Sequence, residues 1–178
     1  MGVFHDRLLE ELELRGFSNN TKTAYVYGVR EFINFHQKSP DKLGLSDIKG
    51  YQYFLIKTKK MNPKSVNQQT AAITFFYRNV LNRAWPAKTI PRIKCQLRIP
   101  VMLTLDEIQK VLNTASNIKH KALLMTMYSS GLRVSEVLNL KHFDIDSKRM
   151  VINIKNGKGG KDRQAILSPY LLDCLREY

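Results

Sequence analysis

The spacing of the apolar residues is helical along most of this 178-residue chain and changes character only once. Up to about residue 141, apolar residues recur three and four positions apart, which is typical of amphipathic helices. Residues 150–154 and 164–167 then have the pattern of two short strands on either side of a glycine-rich turn. The pattern predicts a mainly α-helical chain with one small β-hairpin or sheet.

Four helices are predicted in the first ninety residues, and polar or special residues separate them. Gly16 ends the first helix, and Ser18 begins the second as an N-cap. Ser46 is expected to cap the third, and Asn62 followed by Pro63 to begin the fourth. Aromatic residues on these helices recur on the inward-facing period, so we expect them in the core rather than on a base-stacking surface.

Prolines then punctuate a basic stretch that separates the four helices from the rest of the chain. Each proline disfavours helix at the residue before it, which indicates an extended segment. We therefore expect a helical domain over residues 1–90, a basic linker over 91–103, and a second, partial domain over 104–178.

The charge of the chain is large and unevenly distributed. Lys and Arg number 29 against 15 Asp and Glu, a formal net charge of +14. Residues 51–100 contain ten basic side chains and no acidic one. A block of one sign within a foldable segment predicts a polyanion partner, which we interpret as double-stranded DNA. The simpler alternative is a solvated surface with free counterions, and an anionic membrane fits less well because no clean amphipathic anchor is present.

Several classes of protein are excluded by composition. No apolar run reaches the ~18–20 residues that a membrane span needs. The N-terminus lacks the order of a signal peptide. Two cysteines, Cys95 and Cys174, lie far apart, which argues against a disulfide scaffold or a cysteine-rich metal site. The low cysteine content suits a reducing compartment, so we expect a cytoplasmic protein.

One short segment of the second half could bind a phosphate. Gly131 is expected to break one helix, and the next begins near Arg133. An arginine at such a junction can place its planar fork on a phosphate, close to helix N-terminal amides. Glu136, three residues later, lies on the same helical face and can orient that guanidinium. On spacing alone, an ordinary surface ion pair explains the two residues better than a phosphate site does.

The turn of the predicted hairpin is rich in glycine and positive charge. Its basic residues are Lys155, Lys158, Lys161 and Arg163, and glycines let a backbone approach a ligand closely. The spacing is not that of a Walker A loop, because a strand follows rather than a helix. Such a hairpin can enter a DNA groove, or it can be a flexible solvated turn.

Together these two features resemble one known family. Residues 129–168 read SSGLRVSEVLNLKHFDIDSKRMVINIKNGKGGKDRQAILS, which is similar to the first arginine box and adjoining hairpin of the tyrosine recombinase (phage integrase) family. The resemblance is closest to the XerC- and XerD-like and integron-integrase branch and covers essentially the whole chain. It implies a four-helix, SAM-like core-binding domain followed by part of an α+β catalytic domain.

The resemblance also implies roles for particular residues. Arg133 matches the arginine that binds the scissile phosphate, and Glu136 matches the acidic residue that supports it. Lys158 matches the general acid that protonates the leaving 5′-hydroxyl, with Lys155 and Lys161 as competing candidates. Lys161 and Arg163 are expected to contact DNA. Further DNA contacts are expected from basic residues of the carboxylate-free block, namely Lys57, Lys59, Lys60, Lys64 and Arg78.

The family's later motifs are not found after the hairpin of this sequence. All four histidines precede the hairpin, and none has an arginine three residues later. The family's nucleophile is a tyrosine that follows the missing boxes, so Tyr178 is a poor candidate and no nucleophile is assigned. The resemblance implies phosphoryl transfer through a phosphotyrosine, without metal or cofactor.

Three functional interpretations remain open. The first is a truncated tyrosine recombinase that binds DNA but does not cleave it alone. The second is a non-catalytic regulator that occupies the DNA sites of a complete recombinase. In both, partner protomers of the same protein or of a complete recombinase are expected. The third is a basic domain that binds unrelated nucleic acid, with an accidental motif match.

Overall fold

The computed structural model describes residues 2–83, 85–86, 89–96, 99–155, 157 and 160–178. Within these residues it contains eight α-helices and one three-stranded antiparallel sheet. The chain divides into two compact units, residues 1–98 and 99–178. The predicted fold class is confirmed, whereas the linker and domain boundaries at 90 and 103 stay predictions.

Four helices build the first unit. They are α1 (Gly2–Leu14), α2 (Asn19–His36), α3 (Leu45–Lys57) and α4 (Pro63–Asn79). The predicted caps of α2 and α4 are confirmed, because Ser18 accepts from Thr21 N and Asn62 accepts from Lys64 N. The predicted cap of α3 is wrong.

Helix α3 begins after Gly44, two residues before Ser46. The Asp47 carboxylate accepts a hydrogen bond from Gly44 N at 2.8 Å. This bond satisfies an N–H at the helix start, so Gly44 rather than Ser46 becomes the N-cap.

The first unit has a closed aromatic core. Phe32, Tyr51, Phe76 and Tyr77 are each at most 1% exposed, as their helical spacing predicted. The Tyr77 hydroxyl donates to the carbonyl of Pro40 at 2.7 Å. Burial raises the pKa of Tyr51 to about 12, so this hydroxyl stays neutral in the core.

A glycine sets the approach of α2 to α4. A Cβ on Gly28 would lie 3.2 Å from the Cβ of Ala72, tighter than an ordinary contact. Two small residues therefore face each other where these helices cross, and the side chains around them can interdigitate.

The second unit combines helices with the sheet. Its helices are α5 (Leu105–Thr114), α6 (Ile118–Ser130), α7 (Val134–Leu138) and α8 (Pro169–Glu177), and its strands are β1 (Ile145–Asp146), β2 (Val151–Ile154) and β3 (Arg163–Ile166). The predicted hairpin is β2–β3, with Ile152 opposite Ala165 and Ile154 opposite Arg163. Strand β1 was not predicted, because two residues are too short to show an alternating pattern.

The sheet and three helices enclose the second core. Its buried residues are Leu132, Val137, Ile152, Ile154, Ala165, Leu167 and Leu171. This core places the junction of α6 and α7 next to the base of the hairpin, since Ser130 Oγ donates to the carbonyl of Ile166 at 2.7 Å. The two sequence features that carried the family resemblance are therefore neighbours in space.

Candidate functional site

Arg133 stands at the junction of two helices, as its sequence position predicted. Helix α6 ends at Ser130, and Gly131 follows in the left-handed conformation with a φ of 61°. Arg133 is the N-cap of α7, and its side chain is 55% exposed. The guanidinium is thus accessible to a ligand at the start of a short helix.

Glu136 is the centre of the site. One carboxylate oxygen accepts from Arg133 Nη1 at 2.8 Å, and the other accepts from Arg133 N at 2.9 Å. The second oxygen also accepts from Arg163 Nη2 at 2.8 Å. The Glu136 side chain is only 7% exposed, so this carboxylate is shielded while serving two arginines.

These contacts keep Glu136 ionised. The hydrogen bond from the Arg133 backbone N–H is the main cause that lowers the pKa of Glu136 from 4.5 to about 2. Partial burial opposes the shift, and both guanidinium groups add to it. Within this cluster of three side chains, one negative charge faces two positive charges, so the cluster has a net charge of +1.

The hairpin turn reaches the same carboxylate. Gly157 is buried, and its N–H donates to the carbonyl of Lys161 at 3.0 Å. A Cβ on Gly157 would lie 2.8 Å from that carbonyl oxygen and 3.5 Å from Glu136 Oε1. Gly157 is therefore tightly packed against the Lys161 carbonyl beside Glu136, where a side chain larger than glycine's would clash.

The three candidate lysines differ in their placement. Lys158, the leading candidate for the general acid, lies outside the described residues, directly after Gly157 in the sequence. The Lys155 side chain contacts Asp144 and Phe143 instead: its Nζ lies 3.7 Å from Asp144 Oδ1 and 5.3 Å from the ring centroid of Phe143. Lys161 is exposed and lies two residues before strand β3.

Tyr178 is not part of this cluster. It is 62% exposed, and its N–H donates to the carbonyl of Cys174 at the end of α8. Among the hydrogen bonds of the described residues, none joins its side chain to Arg133 or Glu136. The structure thus brings together Arg133, Glu136 and Arg163, and leaves Tyr178 apart.

A second candidate site is an open groove in the first unit, with a volume of about 920 Å³. It lies along α4, and its lining residues include the predicted contacts Lys64 and Arg78. Arg83 and Arg92 line it as well, although they were not among the predicted contacts. No carboxylate is among the described lining residues, so four positive charges share one groove.

The groove has a second wall made by the strap, residues 89–96. The Asn67 side chain bonds both backbone groups of Ile93, donating to its carbonyl at 2.9 Å and accepting from its N–H at 2.9 Å. Gln52 Nε2 donates to the carbonyl of Pro91 at 3.1 Å. Part of the segment predicted as a linker is therefore fastened along α3 and α4.

The other predicted DNA contacts of the first unit, Lys57, Lys59 and Lys60, are not among the residues that line the groove. Lys57 is the last residue of α3, and Lys60 follows it with a positive φ of 48°. Lys59 Nζ lies 3.6 Å from Glu31 Oε2 and 5.8 Å from the ring centroid of Phe54. Lys59 is thus engaged within the first unit, whereas no ion pair between described residues involves Lys64 or Arg78.

Metal and membrane sites were also sought. In the part of the chain that the structure describes, no three His, Cys, Asp or Glu side chains are grouped so as to hold a metal ion. Among the described helices, none combines the length and apolar character of a membrane span.

Two family models match the chain. The phage integrase N-terminal SAM-like domain matches residues 4–87, and the phage integrase family matches residues 102–178. The chain belongs to the phage integrase family, whose members are tyrosine recombinases of site-specific recombination and integration.

Named relatives agree with this assignment. The chain is 42% identical over 179 residues to y4qK of Sinorhizobium fredii, provisionally named an integrase/recombinase, covering 100% of this chain and 58% of the relative. It is 30% identical over 182 residues to the tyrosine recombinase XerA of Pyrococcus horikoshii, an alignment that covers 99% of this chain and 61% of the relative. The chain therefore spans about six tenths of the length of these relatives.

A solved structure shares the fold. The integrase of the Tn1549 transposon, in complex with transposon right end DNA, superposes with a TM-score of 0.70 at 17% identity, covering 98% of this chain and 64% of that one. At this identity the likeness shows the fold alone.

Proposed function

We propose that this protein binds double-stranded DNA and that its second unit supplies the phosphate-binding part of a tyrosine recombinase active site. The observation that carries the proposal is the shielded Glu136 carboxylate, which holds Arg133 and Arg163 beside the hairpin turn. An accessible guanidinium with excess positive charge is what a scissile phosphate requires.

Each residue has one role in this proposal. Arg133 donates to the nonbridging oxygens of the phosphate and stabilises the charge that develops on them in phosphoryl transfer. Glu136 keeps the Arg133 fork oriented, since it binds both the side chain and the backbone N–H of that residue. Lys158 donates a proton to the 5′-oxygen as its bond to phosphorus breaks, so that it leaves as a 5′-hydroxyl, in line with the family resemblance of the hairpin.

The groove along α4 supports the DNA-binding half of the proposal. Lys64, Arg78, Arg83 and Arg92 line it together with polar side chains such as Asn67. Neutralising backbone phosphates releases condensed counterions, so affinity should fall steeply with salt. Recombination at a paired site also needs further protomers, and we propose that these are copies of this protein or of a complete recombinase.

A matched set of variants tests the groove. Lys64→Gln and Arg78→Gln should each make the plot of log affinity against log salt less steep. The slope should change by about one unit, the contribution of a single phosphate contact. Lys49→Gln removes the same charge from an exposed position of α3 outside the groove and should leave the slope unchanged. Equal slopes for all four proteins, wild type included, would refute the groove as the DNA site.

A second candidate is a non-catalytic protein that occupies recombination sites and regulates a complete recombinase. The sequence observation in its favour is that His5, His36, His120 and His142 all precede the hairpin and none begins an H-x-x-R box. In this case Arg133 would anchor the protein on a phosphate without transferring it.

A suicide substrate tests whether these residues cleave DNA by themselves. Its recognition sequence is first selected from random duplexes by the protein itself, and a nick then traps any covalent intermediate. We expect these 178 residues to bind the duplex without forming a covalent adduct. An adduct that disappears in Tyr178→Phe would show that Tyr178 is the nucleophile and would contradict that expectation.

A further inference from the structure

Arg163 occupies a different position from the other basic residues of the hairpin. It is the first residue of β3 and lies opposite Ile154, the last residue of β2, so it belongs to the sheet, in the pair nearest the turn. Its side chain is 37% exposed, against 65% for Lys155. The sequence predicted a DNA contact for this arginine.

The guanidinium of Arg163 is directed at the protein itself. Nη2 donates to Glu136 Oε2 at 2.8 Å and lies 3.4 Å from the carbonyl oxygen of Gly131. Glu136 is on α7, and Gly131 ends α6. One guanidinium thus joins the hairpin to both sides of the junction that carries Arg133.

We infer that Arg163 is a positioning residue, which fastens the start of strand β3, at the end of the sheet nearest the turn, to the α6–α7 junction and so holds that strand beside Arg133. The inference rests on the proposed function, because it assigns Arg163 to the same phosphate site. Arg163 acts through Glu136, and the phosphate itself is left to Arg133.

The chemistry of the contacts favours arginine at this position. A guanidinium has several N–H groups in a fixed plane and can serve a carboxylate and a carbonyl at once. A lysine could retain the ion pair with Glu136 but would lack the fixed geometry toward Gly131. Without the Arg163 guanidinium, Arg133 would be the one side-chain partner left to Glu136 among the described residues, and β3 would lose this charged link to α7.

Hydrogen exchange of the full chain without DNA tests the inference. Arg163→Gln should raise exchange of the amides of β2, β3 and Gly157 by about tenfold, the effect of losing one charged hydrogen bond. Arg163→Lys should restore part of this protection, because it keeps the charge beside Glu136. Arg149→Gln, which removes an 82% exposed arginine of the same unit, should leave the hairpin unchanged.

DNA binding by the same variants distinguishes the alternatives. Unaltered hairpin exchange in Arg163→Gln, together with a salt slope reduced by one contact, would overturn the inference and make Arg163 a phosphate contact. Raised exchange that Arg163→Lys does not reduce would also overturn it, since any disruptive substitution could then account for the change. If the wild type fails to bind DNA, the proposed function falls, whereas the exchange result still decides the role of Arg163 in the fold.

Discussion

The two units of this protein differ in the interactions that stabilise their main features. The first unit encloses large aromatic side chains such as Phe76 and Tyr77, which are almost fully buried. In the second, helix α5 has no buried residue, and apolar side chains including Leu105, Val134 and Leu138 are more than half exposed. The comparison teaches that the helical unit depends on apolar burial, whereas the site of the second unit depends on ionic contacts and a tight turn.

The largest expected effect is on the core of the first unit. Phe76→Ala should cost about 3–5 kcal/mol, because a fully buried ring leaves a cavity that the helices cannot fill. Phe143→Ala removes a ring that is 60% exposed in the second unit and should cost far less. Chemical denaturation followed by circular dichroism measures the free energy of unfolding of both variants. Similar losses of stability would contradict the difference drawn between the two units.

Acidification should weaken the contacts that Glu136 makes in the second unit. The folded-state pKa of Glu136 is about 2, below the usual 4.5, so its ionisation stabilises the folded state above pH 4.5. That contribution is lost as the pH falls from about 4.5 through about 2. Glu136→Gln should abolish this pH-dependent loss, as followed by hairpin amide signals in NMR spectra recorded between these pH values. A wild-type hairpin that is unchanged down to pH 2 would contradict the assignment.

The hairpin turn should be sensitive to a single methyl group. Gly157→Ala should destabilise the second unit by about 1–3 kcal/mol, because the added Cβ meets the Lys161 carbonyl oxygen at 2.8 Å. Gly50→Ala is the matched control in α3, where nothing lies within 4 Å of the added atom. That substitution should be neutral or stabilising by up to about 1 kcal/mol. Equal thermal shifts for both variants would show that the turn is not tightly closed.

The smallest effect is expected at the strap. Asn67→Ala removes two hydrogen bonds to Ile93 and should cost about 1–2 kcal/mol, mostly as local release of residues 89–96. Limited proteolysis should cut the strap faster, while the helical core stays protected. Asn34→Ala, at an exposed position of α2, is the control and should leave the cleavage rate unchanged.

Local patterns were sufficient to predict much of the fold. Helical spacing and the caps at Ser18 and Asn62 placed helices of the first unit, and alternation placed strands β2 and β3. The cap of α3 was missed because a serine in a suitable position does not reveal a competing carboxylate, here that of Asp47. The strap was missed because its bonds to Asn67 and Gln52 join residues 26 and 39 positions apart.

The sequence by itself determined the family, the helical class, the basic block and the short motif that contains Arg133 and Glu136. These are local or compositional properties, since periodicity, charge and motif spacing are set by neighbours along the chain. Only the tertiary structure decided which basic residues form ion pairs within the protein and which line a groove. It paired Arg163 with Glu136 and Lys59 with Glu31, and it gathered Lys64, Arg78 and Arg92 into one groove. The physical reason is that the strength of a charge in binding depends on distance and shielding, which are fixed only when distant segments pack together.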